Sequence, residues 1–321
     1  MLTRKLMSRS GSIYVSSDGG EQYRLRHLLS SIFGEDNELP EIIWKKRSGP
    51  PNDRSIGSVH EYIECFSKDD ELVKLNLLDR PDEVRDRYTN PDNDSRGPWV
   101  AGDISANAKG GRYVESLYYE IENPDTGKKH LPPEGACWRF NKSKVQRFIK
   151  EGRIFFGADG DGRPKLKRYL SEVRPGVTVP SLWDDIGTNR TARGEMKSLF
   201  GENSAFDTPK PTDLIERVGK VGTEERGLAI DYFAGSGTTG HAVMDLNRED
   251  DGNRQYVLVE MGDYFDTVLM PRLKKVAFSS EWKEGVPQGS DGMSHVIQYH
   301  RLESYEDALN NIKVEKPDTE L

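Results

Sequence analysis

Two carboxylates and three glycines form the part of this chain best equipped for chemistry: Asp231, Gly235, Gly237, Gly240 and, at the end of the next apolar run, Glu260. Asp231 closes the run Leu228-Ala229-Ile230, and the residues Asp231-Tyr-Phe-Ala-Gly-Ser-Gly-Thr-Thr-Gly-His241 read as a strand tip, a glycine turn and a helix starting near Thr238. Glycines let backbone approach a ligand closely, and the first N–H groups of the helix are free to donate. Three cofactor classes compete for such a loop. Gly235 and Gly240 have P-loop spacing, but that motif continues with Lys and Ser/Thr, whereas His241 and Ala242 follow here, which argues against a nucleoside triphosphate. The three glycines also fit G-x-G-x-x-G, with Glu260 ending the strand Tyr256–Val259 as a ribose acid would, the pattern of an NAD-dependent oxidoreductase. Asp231 separates the remaining pair. Its charge at the strand tip repels a pyrophosphate and attracts an ammonium or sulfonium group, and S-adenosylmethionine carries both cations and no phosphate.

The motif Asp231-x-Phe233-Ala-Gly235-Ser-Gly237-Thr-Thr-Gly-His-Ala-Val resembles the cofactor motif of adenine-specific DNA methyltransferases of the permuted class, notably type III modification subunits. Phe206-Asp-Thr-Pro-Lys210-Pro211, Tyr88-Thr-Asn-Pro-Asp-Asn-Asp-Ser-Arg-Gly-Pro-Trp99 and Leu302-Glu-Ser-Tyr-Glu-Asp-Ala-Leu-Asn-Asn311 extend the resemblance over nearly the whole chain. It implies an α/β fold: a permuted, Rossmann-like, S-adenosylmethionine-dependent methyltransferase sheet, incomplete on its N-terminal side, with an inserted target-recognition domain. By the same resemblance, Asp231, Phe233, Gly235, Ser236, Gly237 and Thr238 line the amino-acid end of the cofactor, and Glu260 takes the ribose hydroxyls. Thr208, Lys210 and Pro211 match the motif that touches the methionine carboxylate, although Thr208 with Pro209 or Pro211 also fits a helix start. Glu260 equally fits an ordinary strand-end acid. His60 and Tyr62 fall in a stretch like the base-contacting strand, and a plain half-buried strand fits them as well. His241 reads as a packing or helix-surface residue.

Methyl transfer to adenine N6 is a direct displacement, so donor and amine must be held in line, and the base must leave the duplex. In the resembled family an Asp/Asn/Ser-Pro-Pro-aromatic motif holds the amine. The only Pro-Pro pairs here are Pro50-Pro51, between Gly49 and Asn52, and Pro132-Pro133, between Leu131 and Glu134, and neither fits. No catalytic residue is therefore assigned. The resemblance places the catalytic strand before the helix that Leu2–Arg9 continues, in mid-sheet between the strand ending at Asp231 and the strand Ser12–Ser16. The expectation is a chain that starts after that strand, leaves two inner edges unpaired and methylates DNA poorly alone. A second reading is a non-catalytic cofactor- and DNA-binding subunit of a split methyltransferase. Implied partners are double-stranded DNA, a second copy in a homodimer and a helicase-nuclease restriction subunit.

With 321 residues the chain has room for two domains, and 34% hydrophobic against 31% charged residues predicts large loops or a polar binding surface. The net charge of −8 hides segregation: Arg139 to Arg174 contains eleven basic residues against four acidic ones. Arg139, Lys142, Lys144, Arg147, Lys165, Lys167 and Arg168 are the DNA-binding candidates. Trp138, Phe140, Phe148, Phe155, Phe156 and Tyr169 are interleaved as a base-stacking surface, or else as a small core under a solvated basic face. Cys65 and Cys137 have no metal or disulfide spacing, which fits a reducing cytoplasm, and no apolar run approaches the roughly 20 residues of a membrane span.

The elements that must position these groups alternate at both ends of the chain. A helix with Leu2 and Leu6, a strand Ser12–Ser16, a helix Gln22–Phe33 turning Leu25, Leu28, Leu29 and Ile32 inward, and strands Ile42–Trp44 and Val59–Phe66 make one half-sheet over residues 1–70. Residues 71–200, with short strands at Tyr113-Val-Glu and Arg153-Ile-Phe-Phe, form the recognition region. Residues 201–278 supply the cofactor half through Thr212–Val221, Leu228–Asp231, Thr238–Leu246, Tyr256–Glu260 and Phe265–Val276. Residues 279–321 are an extension with a strand at His295–Tyr299 and a frayed end, Lys313–Leu321.

Overall fold

A computed structural model describes residues 2–52, 55–201 and 206–312; the expected frayed end lies outside them. The chain divides into two compact units, Met1–Asn76 with Ser181–Leu321, and Leu77–Pro180. The second unit thus begins and ends inside the 71–200 expected for a recognition region. The strand Leu182–Trp183 and the helix Asn189–Phe200 fall in the first unit, because Leu182–Trp183 pairs in parallel with Ile42–Lys45.

In the first unit, four strands lie in the order Ser12–Ser17, His60–Ser67, Ile42–Lys45, Leu182–Trp183. Trp44, Ile63, Phe66 and Trp183 are buried on this sheet, and the helix Gln22–Phe33 covers it with Leu29 and Phe33. Leu28 is exposed, contrary to the expected inward stripe, as are Leu2 and Leu6 on the short helix Leu2–Leu6. A separate parallel pair, Leu228–Asp231 with Gln255–Leu258, carries the helices Thr212–Gly222 and Thr238–Asp250. A π-helical segment, Phe265–Leu269, continues into the helix Met270–Phe278. The core against this pair is Ala234, Met244, Leu269, Leu273 and Val276.

Among the described residues, Ser12–Ser17 pairs only with His60–Ser67, and Leu228–Asp231 only with Gln255–Leu258. Each therefore keeps one edge without a strand partner, and Leu228 is 52% exposed despite lying in an apolar run. The expected strand at His295–Tyr299 does not form; the segment has no regular structure, and His295 instead stacks on Tyr256.

The second unit is built from short antiparallel pieces. Ile154–Phe155, Lys165–Tyr169 and Trp99–Asp103 form a three-stranded sheet, with two-stranded ribbons at Ser105–Asn107/Ala136–Trp138, Ile121–Glu122/Lys129–His130 and Leu78–Asp79/Gly176–Val177. Tyr113 and Val114 lie outside strands, ahead of a 3₁₀ turn at Glu115–Leu117. The helix Lys142–Lys150 is capped by Asn141, whose side chain accepts from the Lys144 N–H, and it buries Val145 and Phe148.

Candidate cofactor site

Parallel pairing sets Asp231 opposite Leu258, so Asp231 and Glu260 both stand at the carboxyl ends of neighbouring strands, where open α/β sheets bind ligands. Between them the chain turns sharply. Gly235 and Gly237 have φ values of +55° and +81°, in the left-handed region that favours glycine. A Cβ at Gly237 would also approach Leu269 Cγ to 3.1 Å, and one at Gly235 would approach Phe206 Cζ to 3.2 Å. Gly237 caps the helix Thr238–Asp250.

The two acids pin this turn. Asp231 Oδ1 accepts from the Phe233 N–H at 3.0 Å, and Oδ2 accepts from the Thr239 hydroxyl at 2.5 Å. Glu260 Oε2 accepts from the Gly235 N–H at 2.7 Å, while Oε1 accepts from the N–H groups of Met261 at 2.8 Å and Gly262 at 2.9 Å. Burial works to raise the Glu260 pKa, yet these N–H donors and Tyr264 outweigh it and hold the group below its ordinary value, so it is ionised at neutral pH. An ionised carboxylate offers about four lone-pair sites. Asp231, with two donors, therefore keeps more acceptor capacity than Glu260, with three N–H donors.

Beneath the loop lies a residue the motif reading passed over. Arg272 is fully buried, and its Nη1 donates to Ser236 Oγ at 3.0 Å and to Thr238 Oγ1 at 2.8 Å. Nη2 donates to Thr212 Oγ1 at 3.0 Å, and Nε and Nη2 lie 3.2 and 3.0 Å from His241 Nδ1. Glu195 stands 3.7 Å from the guanidinium and itself accepts from the N–H and hydroxyl of Thr212. Burial pulls the Arg272 pKa down to about 10 against the opposing pull of Glu195 and Asp245, which leaves it charged at neutral pH. His241 accepts from Arg272 through Nδ1 and faces Asp245 through Nε2 at 3.0 Å, so the neutral, Nε2-protonated tautomer fits both partners. Burial, reinforced by Arg272 and opposed by Asp245, lowers its pKa. Ser236 and Thr238 thus turn their hydroxyls inward to Arg272, and what they present outward is backbone. A signal for Arg272 does exist in the sequence: it occupies the i+3 position from Leu269 and precedes Val276 by four, on the buried stripe of its helix.

The other carried-over residues separate. Pro211 caps the helix Thr212–Gly222, the helix-start role that its sequence position also allowed. Thr208 is exposed. Lys210 pairs with Glu61 on the His60–Ser67 strand and lies 5.1 Å from the centre of the Trp44 ring, while its carbonyl faces the Thr238 hydroxyl at 3.3 Å. Exposed apolar groups stand around the loop, Phe233 at 91% and Met261 at 97% exposure, while half-buried Phe206 meets Tyr264 edge-on at 5.0 Å. His60 Nε2 and the Tyr62 hydroxyl are 3.0 Å apart on their strand.

In the second unit, Arg139, Lys142, Lys144, Arg147, Lys165 and Arg168 are exposed, with the Lys144 ammonium 4.8 Å from the centre of the Phe140 ring. Lys167 is a correction. Strand alternation turns it inward, where it is buried over Trp99 and paired with Asp92 and with Asp94 at 3.1 Å, so it has no charge to offer a phosphate. The base-stacking surface is corrected with it: Trp138, Phe148 and Phe156 are core beside Ile104, Ile121, Val145 and Ile154, and Tyr169 is fully buried against Asp94. The alternative, a solvated basic face over a small core, is what forms.

Cys65 and Cys137 are buried free thiols. Among the described residues no helix is long and apolar enough to cross a membrane, and no His/Cys/Asp/Glu group has the makings of a metal site.

A family model described as DNA methylase, N6_N4_Mtase, matches residues 2–269. The StyLTI Mod subunit of a type III restriction-modification enzyme from Salmonella typhimurium is 32% identical over 262 residues, which cover 80% of this chain and 38% of that protein. The EcoP15I Mod subunit from Escherichia coli is 27% identical, covering 82% and 45% respectively. The type II methyltransferase M.KpnI from Klebsiella pneumoniae is 31% identical, covering 80% and 63%. The chain thus spans less than half the length of either Mod subunit and under two thirds of M.KpnI.

Proposed function

Since the chain belongs to the DNA methylase family, we propose that it serves the S-adenosylmethionine-dependent methylation of adenine N6 in duplex DNA, as part of a type III modification subunit. The observation that carries the cofactor is the pair of carboxylates, Asp231 and Glu260, flanking a glycine turn at the ends of parallel strands. Two negative charges there oppose a diphosphate and favour a sulfonium-bearing amino acid. When bound, the cofactor supplies an electrophilic methyl group.

The chain's own residues bind and orient. Asp231 would offer its remaining lone pairs to the ammonium end, Glu260 would take the ribose hydroxyls, and Phe233, Phe206, Tyr264 and Met261 would supply apolar surface beside them. Lys210 is held by Glu61 through its ammonium, and its carbonyl lies 3.3 Å from the Thr238 hydroxyl, which fixes the segment before Pro211 beside the loop. The exposed cations of the helix Lys142–Lys150, with Arg139, Lys165 and Arg168, make the phosphate-contacting face of the second unit. The 321 residues contain no Asp/Asn/Ser-Pro-Pro-aromatic tetrad, so the group that holds the amine is not assigned to any of them. Family membership leaves the NAD-dependent reading without support. The finer partners, a homodimeric copy and a helicase-nuclease subunit, follow from likeness to Mod subunits and belong to the same proposal.

The test is methyl transfer from labelled S-adenosylmethionine to duplex DNA by the natural polypeptide carrying these residues, followed by nucleoside analysis. Label in N6-methyladenine is expected. Label confined to cytosine, or cofactor turnover without DNA methylation, would overturn the reading.

A further inference from the structure

Outside the cofactor site, the first unit has a basic pocket that no motif singled out. It is lined by Lys46, Arg47, Ser48 and Gly49, which follow the strand Ile42–Lys45, and by Thr188, Asn189, Arg190 and Arg193 at the start of the helix Asn189–Phe200. Its cations differ in what they have left to give. Lys46 is committed to Glu61 at 3.1 Å. Arg47, Arg190 and Arg193 make no salt bridge and no side-chain hydrogen bond among the described residues, and Arg190 and Arg193 are exposed one helical turn apart. Of the acids near the pocket, Asp185 pairs with Arg217, Asp213 accepts from the Gly187 N–H and Glu195 accepts from Thr212, while Asp184 is exposed. The helix terminus adds little, because the Asn189 N–H already donates to the Lys46 carbonyl at 2.9 Å and the Thr188 N–H to Thr191 Oγ1 at 3.1 Å. The attraction comes from three guanidinium groups on two chain segments locked together by the Asn189-to-Lys46 bond and by the Trp44 Nε1 donation to the Gly187 carbonyl at 2.9 Å.

We propose that this pocket takes a backbone phosphate of duplex DNA, through the fork geometry that suits guanidinium groups to phosphate oxygens. The proposal rests on the reading that the protein acts on DNA, and it adds to the basic helix of the second unit an anchor on the cofactor-carrying unit. Phosphate contacts position a duplex without reading its sequence, so the contribution is the same for every sequence.

The measurement is the affinity of the full chain for short duplexes across a series of salt concentrations, for the wild type, for Arg190→Gln/Arg193→Gln, and for Lys274→Gln/Lys283→Gln, which removes the same charge elsewhere. Every phosphate that the protein ceases to neutralise lowers the slope of log affinity against log salt by about 0.9. The pocket variant is expected to show a decrease of about that size, equally on specific and unrelated duplexes, with thermal midpoint and S-adenosylmethionine affinity unchanged. The control variant keeps its slope. An unchanged slope in the pocket variant, or an equal decrease in the control, overturns the proposal while cofactor binding leaves the functional reading standing. Binding of inorganic phosphate that the pocket variant abolishes, with the DNA slope intact, assigns the pocket to a free anion and also overturns it. If the wild type binds no duplex at all, both readings fall.

Discussion

Arg272 shows how much of the loop's shape comes from a side chain that faces away from any ligand. Its five donors face Ser236, Thr238, Thr212 and His241, so it ties the glycine turn to the start of the Thr212–Gly222 helix. Arg272→Met removes several charge-assisted bonds from a buried site and is expected to lower stability by on the order of 2–4 kcal/mol. Arg272→Lys keeps the charge but loses the planar fork, so part of the stability returns while cofactor affinity stays about tenfold weaker, equivalent to ~1.4 kcal/mol. Calorimetry beside thermal unfolding separates the two effects, and full recovery of affinity in the Lys variant would contradict the positioning role. At this scale the sequence was legible where chemistry sits on backbone: the glycines at 235 and 237 do take left-handed conformations, and Asp231 and Glu260 do flank the turn. It was less legible where a side chain's direction decides. Lys167 is basic and lies in a basic run, yet strand alternation turns it inward to Asp92 and Asp94.

Among the elements, the amphipathic ones were readable. The Gln22–Phe33 helix and the Leu228–Asp231 strand have the bounds that periodicity gives, because a continuous apolar stripe or run specifies them locally. The segment His295–Tyr299 meets the strand Gln255–Leu258 through side chains, His295 stacking on Tyr256, and makes no backbone ladder with it, so it stays irregular. Tyr113–Glu115 likewise gains no ladder partner. The seam between the helices Thr212–Gly222 and Thr238–Asp250 has a pH dependence that no periodicity reveals. Burial, aided by Asp245, Asp213 and Glu249 and opposed by Lys220, raises the Glu216 pKa to about 7 from an ordinary 4.5. A raised carboxyl stabilises the fold fully below its unfolded value, and that contribution is lost as pH climbs through about 7. His241 acts in the opposite sense: its lowered pKa gives a contribution present above 6.5 and lost as pH falls through the folded value. Glu216→Gln should therefore raise the thermal midpoint at pH 8 relative to the wild type and change it little near pH 5. Equal shifts at both values would show that Glu216 does not titrate in this window.

At the scale of the whole molecule, the interruption of α/β alternation suggested an inserted unit over residues 71–200, whereas the second compact unit spans Leu77–Pro180. The helix Asn189–Phe200 is rich in charge, as the recognition region is, yet Leu182–Trp183 before it completes the first unit's sheet through backbone pairing that composition does not report. The aromatic residues of the second unit are its core because a unit of short strands has few other large apolar groups to bury. Functional assignment concentrates on the first unit, and within it on the choice between a cationic methyl donor and a dinucleotide. The most direct measurement is isothermal titration of the natural polypeptide with S-adenosylmethionine and with NAD, for the wild type and for Asp231→Asn. Saturable binding of S-adenosylmethionine, no measurable binding of NAD, and a donor affinity reduced at least tenfold by the Asn variant, about 1.4 kcal/mol, is the expected result. Binding of NAD by the wild type, or donor affinity indifferent to the Asp231 charge, would contradict the account.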